Sequence, residues 1–168
     1  RDTDRSRGLG DVYKRQMLDR IVRDLPTMMS YRTHVENNSM FNTPPVFPIY
    51  VLMETLRWLK SIGGVPEIYR RNKEKAALLY DEIDRNPLFR GTVEKEDRSL
   101  MNICFVMADG YEELAPEFME AAKARDIVGI KGHRLVGGFR ASCYNALPIE
   151  SVRVLVECMQ EFAAKHAK

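Results

Sequence analysis

Between residues 46 and 60 the apolar Ile49, Leu52, Met53, Leu56 and Leu59 recur at steps of three and four, and Glu54, Arg57 and Lys60 fall between them. That spacing predicts an amphipathic helix. Pro44 and Pro45 suit a first turn, where a missing N–H costs nothing, and Gly63-Gly64 supplies a stop. A second helix starts near Pro66, carries Ile68, Ala76, Leu79 and Ile83 on one side, and ends at Asn86-Pro87. Its density of charge predicts exposure along much of its length.

The run Glu94–Arg98 has mixed sign and reads as a solvated turn. Beyond it Met101, Ile103, Phe105 and Met107 alternate with Asn102, Cys104 and Val106, the pattern of a half-buried strand. Asp109-Gly110 breaks that strand. Glu112 and Glu113 suit the positive end of a following helix that turns Leu114, Phe118 and Ala121 inward. Ile127–Ile130 and Phe139–Tyr144 read as two more strands. Pro148 opens a last helix with Val152, Leu155, Val156, Met159 and Phe162 on one face. The order helix, helix, strand, helix, strand, strand, helix predicts an α/β or α+β layered unit.

Composition narrows this picture. Of 168 residues 45% are hydrophobic and 30% charged, the balance of a globular domain with a core of its own. No apolar run approaches the roughly 20 residues a membrane helix needs. The net charge of +2 resides in residues 1–16, RDTDRSRGLGDVYKRQ, so the rest balances to zero and nothing calls for nucleic acid. That opening stretch lacks periodicity and is expected to be a disordered or artefactual tail. Cys104, Cys143 and Cys158 are odd in number, at no metal-like spacing; a reduced, cytoplasmic protein with small buried thiols is the expectation. His34 and His166 belong to no ligand pattern, so no metal is expected. The methionines are core filler, and Trp58, on the charged side of its helix, faces either an interface or solvent.

Two segments have the chemistry to hold anions. In Phe41-Asn42-Thr43-Pro44-Pro45, Asn42 and Thr43 offer neutral donors just before a helix whose free N–H groups point outward, a phosphate cradle. Alternatively, Thr43 only caps that helix. The second segment, KGHRLVGGFR at 131–140, gathers Lys131, His133, Arg134 and Arg140 around three glycines, and no acidic residue follows until Glu150. Guanidinium forks match carboxylate and phosphate bidentately. His133 with Arg134 suits one oxyanion and Arg140 another. A solvated surface loop, with Arg140 paired to a distant carboxylate, is the other reading.

The stretches LPTMMSYRTHVENNSMFNTPPVFPIYVLMETLRWLK at 25–60, NICFVM at 102–107 and KGHRLVGGFRASCYNALP at 131–148 resemble the phosphoserine aminotransferase family. These are class-V, fold-type I enzymes dependent on pyridoxal 5'-phosphate. The resemblance runs from about residue 17 to the end. It implies amino transfer from glutamate to 3-phosphohydroxypyruvate, giving O-phospho-L-serine and 2-oxoglutarate. In many bacteria a phosphorylated hydroxy-oxobutanoate on the route to pyridoxine is a further substrate. It also implies a homodimer with active sites at the subunit boundary. Residue by residue, Asn42 and Thr43 match the pair that reaches the cofactor phosphate of the other subunit. His133 and Arg134 match the lining where the substrate phosphate lies. Arg140 matches the arginine that clamps the α-carboxylate.

The family's Schiff-base lysine, the acidic partner of the pyridine nitrogen and the stacked aromatic ring all match positions upstream of this region. No catalytic residue is therefore assigned in this chain. The expected organisation is residues 1–16 as the tail, 17–62 as the end of the large cofactor domain and 63–168 as the C-terminal small domain. A fragment of this kind is expected to be inactive alone and to expose a sticky patch over residues 17–60. Two rivals remain: another class-V enzyme, such as a cysteine desulfurase or a serine–glyoxylate aminotransferase, and a non-catalytic anion-binding or interaction module.

Overall fold

The computed structural model describes residues 18, 20–134 and 137–166; the 1–16 tail lies outside them. The chain divides into two compact units, residues 1–55 and 56–168.

In the first unit a single 3-10 turn at Thr27–Met29 leads into a short helix α1 (Tyr31–Glu36). Sequence periodicity missed α1, because six residues are too few to show an apolar repeat. His34 closes this corner: its Nε2 lies 3.0 Å from the Met28 carbonyl, and its ring meets Phe41 edge-on. Helix α2 (Val46–Ser61) forms where its apolar spacing placed it. The Ile49 N–H donates to the Pro45 carbonyl at 3.2 Å, so Pro45 sits just before the first turn and Pro44 lies outside it.

None of the described residues from 18 to 61 is buried. Phe47 is 76% exposed, and Leu52 and Leu56 remain 57% and 53% exposed, so much of the apolar stripe of α2 stays open to solvent. A contiguous patch of this kind drives association. The isolated chain should sediment as oligomers at micromolar concentration, and a Leu52→Glu, Leu56→Glu double variant should shift towards monomer with its melting temperature unchanged. A strictly monomeric parent chain would contradict this.

The second unit is built on helix α3 (Gly64–Arg85) and a three-stranded antiparallel sheet in chain order, β1 (Phe89–Gly91), β2 (Asn102–Met107) and β3 (Phe139–Ser142). Phe89 lies opposite Met107, and Phe105 opposite Phe139. Side chains alternate along each strand. Phe89, Ile103, Phe105, Met107, Phe139 and Ala141 therefore face the core, while Arg90, Cys104 and Arg140 face away. Helices α3, α4 (Ala115–Lys123) and α5 (Ile149–His166) fill that core with Leu79, Ile83, Phe118, Val152, Met159 and Phe162. The α+β form of the expected fold holds. Among the described residues no helix is long and apolar enough to cross a membrane.

One local expectation fails, one element goes unpredicted and one reading holds only in part. Ile127–Ile130 is not a strand: Asp126 and Gly129 take left-handed φ of 59° and 72°, and only Lys131 beyond them pairs, with Phe139. The strand β1 was missed because three residues carry almost no alternation. The run Glu94–Arg98 is not wholly solvated. Arg98 forks onto Asp84 at 2.9 and 2.7 Å and lies over the Tyr80 ring, with its side chain 14% exposed.

That fork has a pH signature. Hydrogen bonding to Arg98 holds the Asp84 carboxyl near 2, against the opposing effect of burial, with Lys95 assisting. An unfolded aspartate titrates near 3.9. The contribution of this pair is therefore full above about pH 4 and disappears as pH falls through 2. An Asp84→Asn variant should be about 1 kcal/mol less stable than the parent at pH 7, a figure discounted for partial exposure. In urea melts the gap should close towards pH 2. A gap that persists at pH 2 would mean the loss is steric.

Helix α3 is exposed along much of its length, as its charge implied, yet it also buries polar side chains. Asn72, Lys75 and Glu82 are buried on its apolar side. Burial pushes the Glu82 carboxyl up, yet hydrogen bonds from Gln160, Asn86 and Arg85 outweigh this and hold it below the ordinary range. Asn86 also donates to the Met159 carbonyl and accepts from the Leu88 N–H, which ends α3 and ties it to α5.

Candidate functional site

The cationic segment folds as a tight hairpin leading into β3. The Arg140 N–H donates to the Ile130 carbonyl at 2.7 Å, the Gly132 N–H to Gly138 at 2.8 Å, and the Gly137 N–H to His133 at 2.8 Å. Glycine is required at two of these places. A Cβ on Gly132 would stand 2.0 Å from the Gly137 oxygen. A Cβ on Gly138, whose φ is +63°, would stand 2.7 Å from the Phe105 oxygen. No side chain fits either gap. The glycines thus let the two arms close; Leu135 and Val136 lie outside the described residues.

This geometry sorts the cations. His133 and Arg134 are exposed at the tip. Arg140 is the second residue of β3, opposite Cys104, and the strand alternation turns it away from the core. Elsewhere in the unit Arg70, Arg71, Arg85, Arg90, Arg98, Arg125 and Arg153 each pair with a carboxylate. Among the described residues Arg134 and Arg140 have no such partner. A distant Glu for Arg140, one of the two readings of the sequence, is not there. Arg140 also borders an open cleft of about 370 Å³, whose other walls include Ile130, Ser142, Leu147, Ser151 and Leu155.

Asn42 and Thr43 lie in the first unit, both exposed. Among the described residues the Asn42 amide donates only to the Met28 thioether, at 3.5 Å. Helix α2 starts three residues after Thr43, so Thr43 is not at the capping position. Burial pushes the Cys143 and Cys158 thiols up, which makes them poor nucleophiles. Among the described residues no cluster of His, Cys, Asp and Glu has the makings of a metal site.

Sequence reading missed Lys75 and Asn72. Lys75 is 2% exposed, and its ammonium donates to the carbonyls of Cys143 (3.3 Å), Tyr144 (2.7 Å) and Leu147 (3.1 Å), in the turn that follows β3. Asn72 donates to the Asn145 side chain at 2.8 Å in the same turn. The signal was present: positions 72 and 75 fall on the same side of the helix as Ile68, Ala76 and Leu79.

Residues 8–155 match the family described as aminotransferase class-V. The chain belongs to the class-V aminotransferase family. This class-V segment is 59% identical over 155 residues to the phosphoserine aminotransferase of Bacteroides thetaiotaomicron, which covers 92% of the chain and 44% of that relative. Its fold matches the phosphoserine aminotransferase of Bacillus circulans subsp. alkalophilus with a TM-score of 0.76 at 47% identity, covering 85% of the chain and 39% of that structure. The pyridoxal-phosphate-bound phosphoserine aminotransferase of Trichomonas vaginalis matches with a TM-score of 0.72 at 42% identity, over 83% of the chain and 40% of that structure. The chain therefore spans less than half the length of the relatives it matches.

Proposed function

We propose that this chain is the substrate-recognising part of a cytoplasmic phosphoserine aminotransferase, which exchanges an amino group between glutamate and 3-phosphohydroxypyruvate. The observation that carries the reading is the pair of arginines, Arg134 and Arg140, on one hairpin with no carboxylate partner among the described residues. Arg140 forks the α-carboxylate, which phosphoserine and glutamate share. His133 and Arg134, at the exposed tip, take the distal group: phosphate in one half-reaction, carboxylate in the other. A guanidinium recognises carboxylate and phosphate through a fixed planar fork of N–H donors.

The residues also fit their part of pyridoxal 5'-phosphate. Asn42 and Thr43 are exposed neutral donors not committed to strong internal bonds, as a phosphate contact reaching to a second subunit of a homodimer requires. When bound, this group supplies the electron sink through which the amino group moves. No lysine of this chain is assigned the covalent attachment. Lys75 is the buried lysine of the second unit, and its three N–H donors are already spent on carbonyls.

A chimaera that completes this chain with the remaining residues of the Bacteroides thetaiotaomicron relative tests the reading. It should transfer the amino group of glutamate to 3-phosphohydroxypyruvate, and use serine, cysteine and glyoxylate poorly. Cysteine desulfuration, or equal use of serine and phosphoserine, would overturn the assignment. A chimaera that binds phosphate without any turnover would favour the anion-binding module.

A further inference from the structure

Strand β3 is a short edge strand, and its register decides what Arg140 can do. Its four residues pair with β2 on one side. On the other side, among the described residues, it meets only the returning arm of its own hairpin, through Lys131 and the Ile130 carbonyl. Successive side chains on a strand point to opposite faces, so a slip of one residue would drive Arg140 into the core and turn Phe139 or Ala141 out. Short edge strands are also the first to fray. Something must fix the far end of β3, where the chain leaves Ser142.

That end is held from two sides. The Cys143 N–H donates to the Met101 carbonyl at 2.7 Å, continuing the ladder one residue past the strand. From the helical layer, Lys75 reaches across to the carbonyls of Cys143, Tyr144 and Leu147. An ammonium has three N–H donors in a tetrahedral array, and here each has a carbonyl. Asn72, one turn earlier on α3, adds the bond to Asn145. Burial lowers the pKa of Lys75, with the Cys143 thiol opposing, so the site works against the charge; the three carbonyls give its N–H groups the partners that water would otherwise supply. A cation buried on these terms holds a particular backbone shape.

We infer that Lys75 is a positioning residue that pins the turn at 143–147, fixes the register of β3 and thereby aims Arg140 at the substrate carboxylate. The last step rests on the carboxylate-binding reading of Arg140; the pinning of the strand does not. An arginine at position 75 would not substitute, because its planar fork cannot address three carbonyls arranged around a point.

The test uses the full 168-residue chain in three forms, the parent, Lys75→Met and Arg140→Lys, with L-glutamate as the probe. In Lys75→Met the amides of Arg140 and Cys143 should lose protection from hydrogen exchange by about tenfold or more relative to the amides of α5. Uniform loss across the unit, or no loss, overturns the inference. The Arg140 side-chain N–H resonance should shift on titration with L-glutamate in the parent, saturate only at about tenfold higher concentration in Lys75→Met, and be without counterpart in Arg140→Lys. Equal affinity in parent and Lys75→Met overturns the aiming role. If the parent does not respond to glutamate, the carboxylate reading of Arg140 fails on its own, and the exchange comparison still decides the pinning. Should Lys75→Met not fold, Lys75→Gln, which keeps two donors on a shorter side chain, carries the same comparison. Failure of both to fold would make the lysine a requirement of the whole unit, and the specific role at β3 would be lost.

Discussion

An Arg140→Lys substitution in the completed enzyme should lower kcat/KM by about a hundredfold for glutamate and for phosphoserine alike. The size follows from replacing a bidentate guanidinium fork by a single-point cation at a site where carboxylate is recognised, a loss of about 3 kcal/mol. The symmetry follows from placement. Arg140 stands on strand β3, and on the proposed reading it would meet the α-carboxylate that both substrates carry. Arg134 stands at the hairpin tip, and an Arg134→Ala substitution should fall harder on phosphoserine, whose dianionic group gains more from a second cation. Steady-state kinetics with both amino donors measure the two ratios. A substitution at Arg140 that spares one substrate would refute the shared-carboxylate role. Equal effects of Arg134→Ala on the two would show that it does not read the distal group.

Much of this site was legible in the sequence because it is local. The cations, the glycines and the lack of a neighbouring acid all fall within ten residues, and the resemblance implied roles for His133, Arg134 and Arg140. The structure added what spacing cannot show. The glycines are fixed by backbone approaches at Gly132 and Gly138. Among the described residues no carboxylate pairs with Arg140, which the sequence had left as one of two readings. The long helices were legible for the same reason, since eighteen or twenty-two residues repeat an apolar face several times over. The three-residue strand β1 and the six-residue helix α1 do not repeat at all.

What sequence could not show is tertiary. The contact from Lys75 to Tyr144 joins residues 69 apart, and the bond from Gln160 to Glu82 joins residues 78 apart. A lysine, an asparagine and a glutamate on α3 looked like solvated charge because charged residues are seldom buried. They are buried because each finds partners on another element. Helix α2 shows the reverse. Its periodicity correctly announced a helix, yet periodicity announces only that a face seeks cover; it does not say that the cover lies within the same chain.

The largest change in stability should come from Phe118. Its ring is fully buried and stands 4.9 Å from Phe89, 5.1 Å from Phe139 and 5.3 Å from Phe162, so it joins β1, β3 and α5 at one point. Phe118→Ala should cost about 3–5 kcal/mol, the transfer of a ring plus the cavity it leaves. For a unit of this size total stability is roughly 5–15 kcal/mol, and each kilocalorie lowers the melting temperature by about 4–8 °C. The loss should therefore exceed about 12 °C in a thermal melt. Phe47→Ala removes the same atoms from a side chain that is 76% exposed and should change the melting temperature hardly at all. Because Phe139 immediately precedes Arg140, the Phe118 cavity opens directly beneath the strand that carries the carboxylate fork. A Phe118→Leu variant, which fills more of that space, should recover a large part of both the stability and the exchange protection at Arg140. Recovery of stability without recovery of protection at Arg140 would show that the core does not set the order of β3.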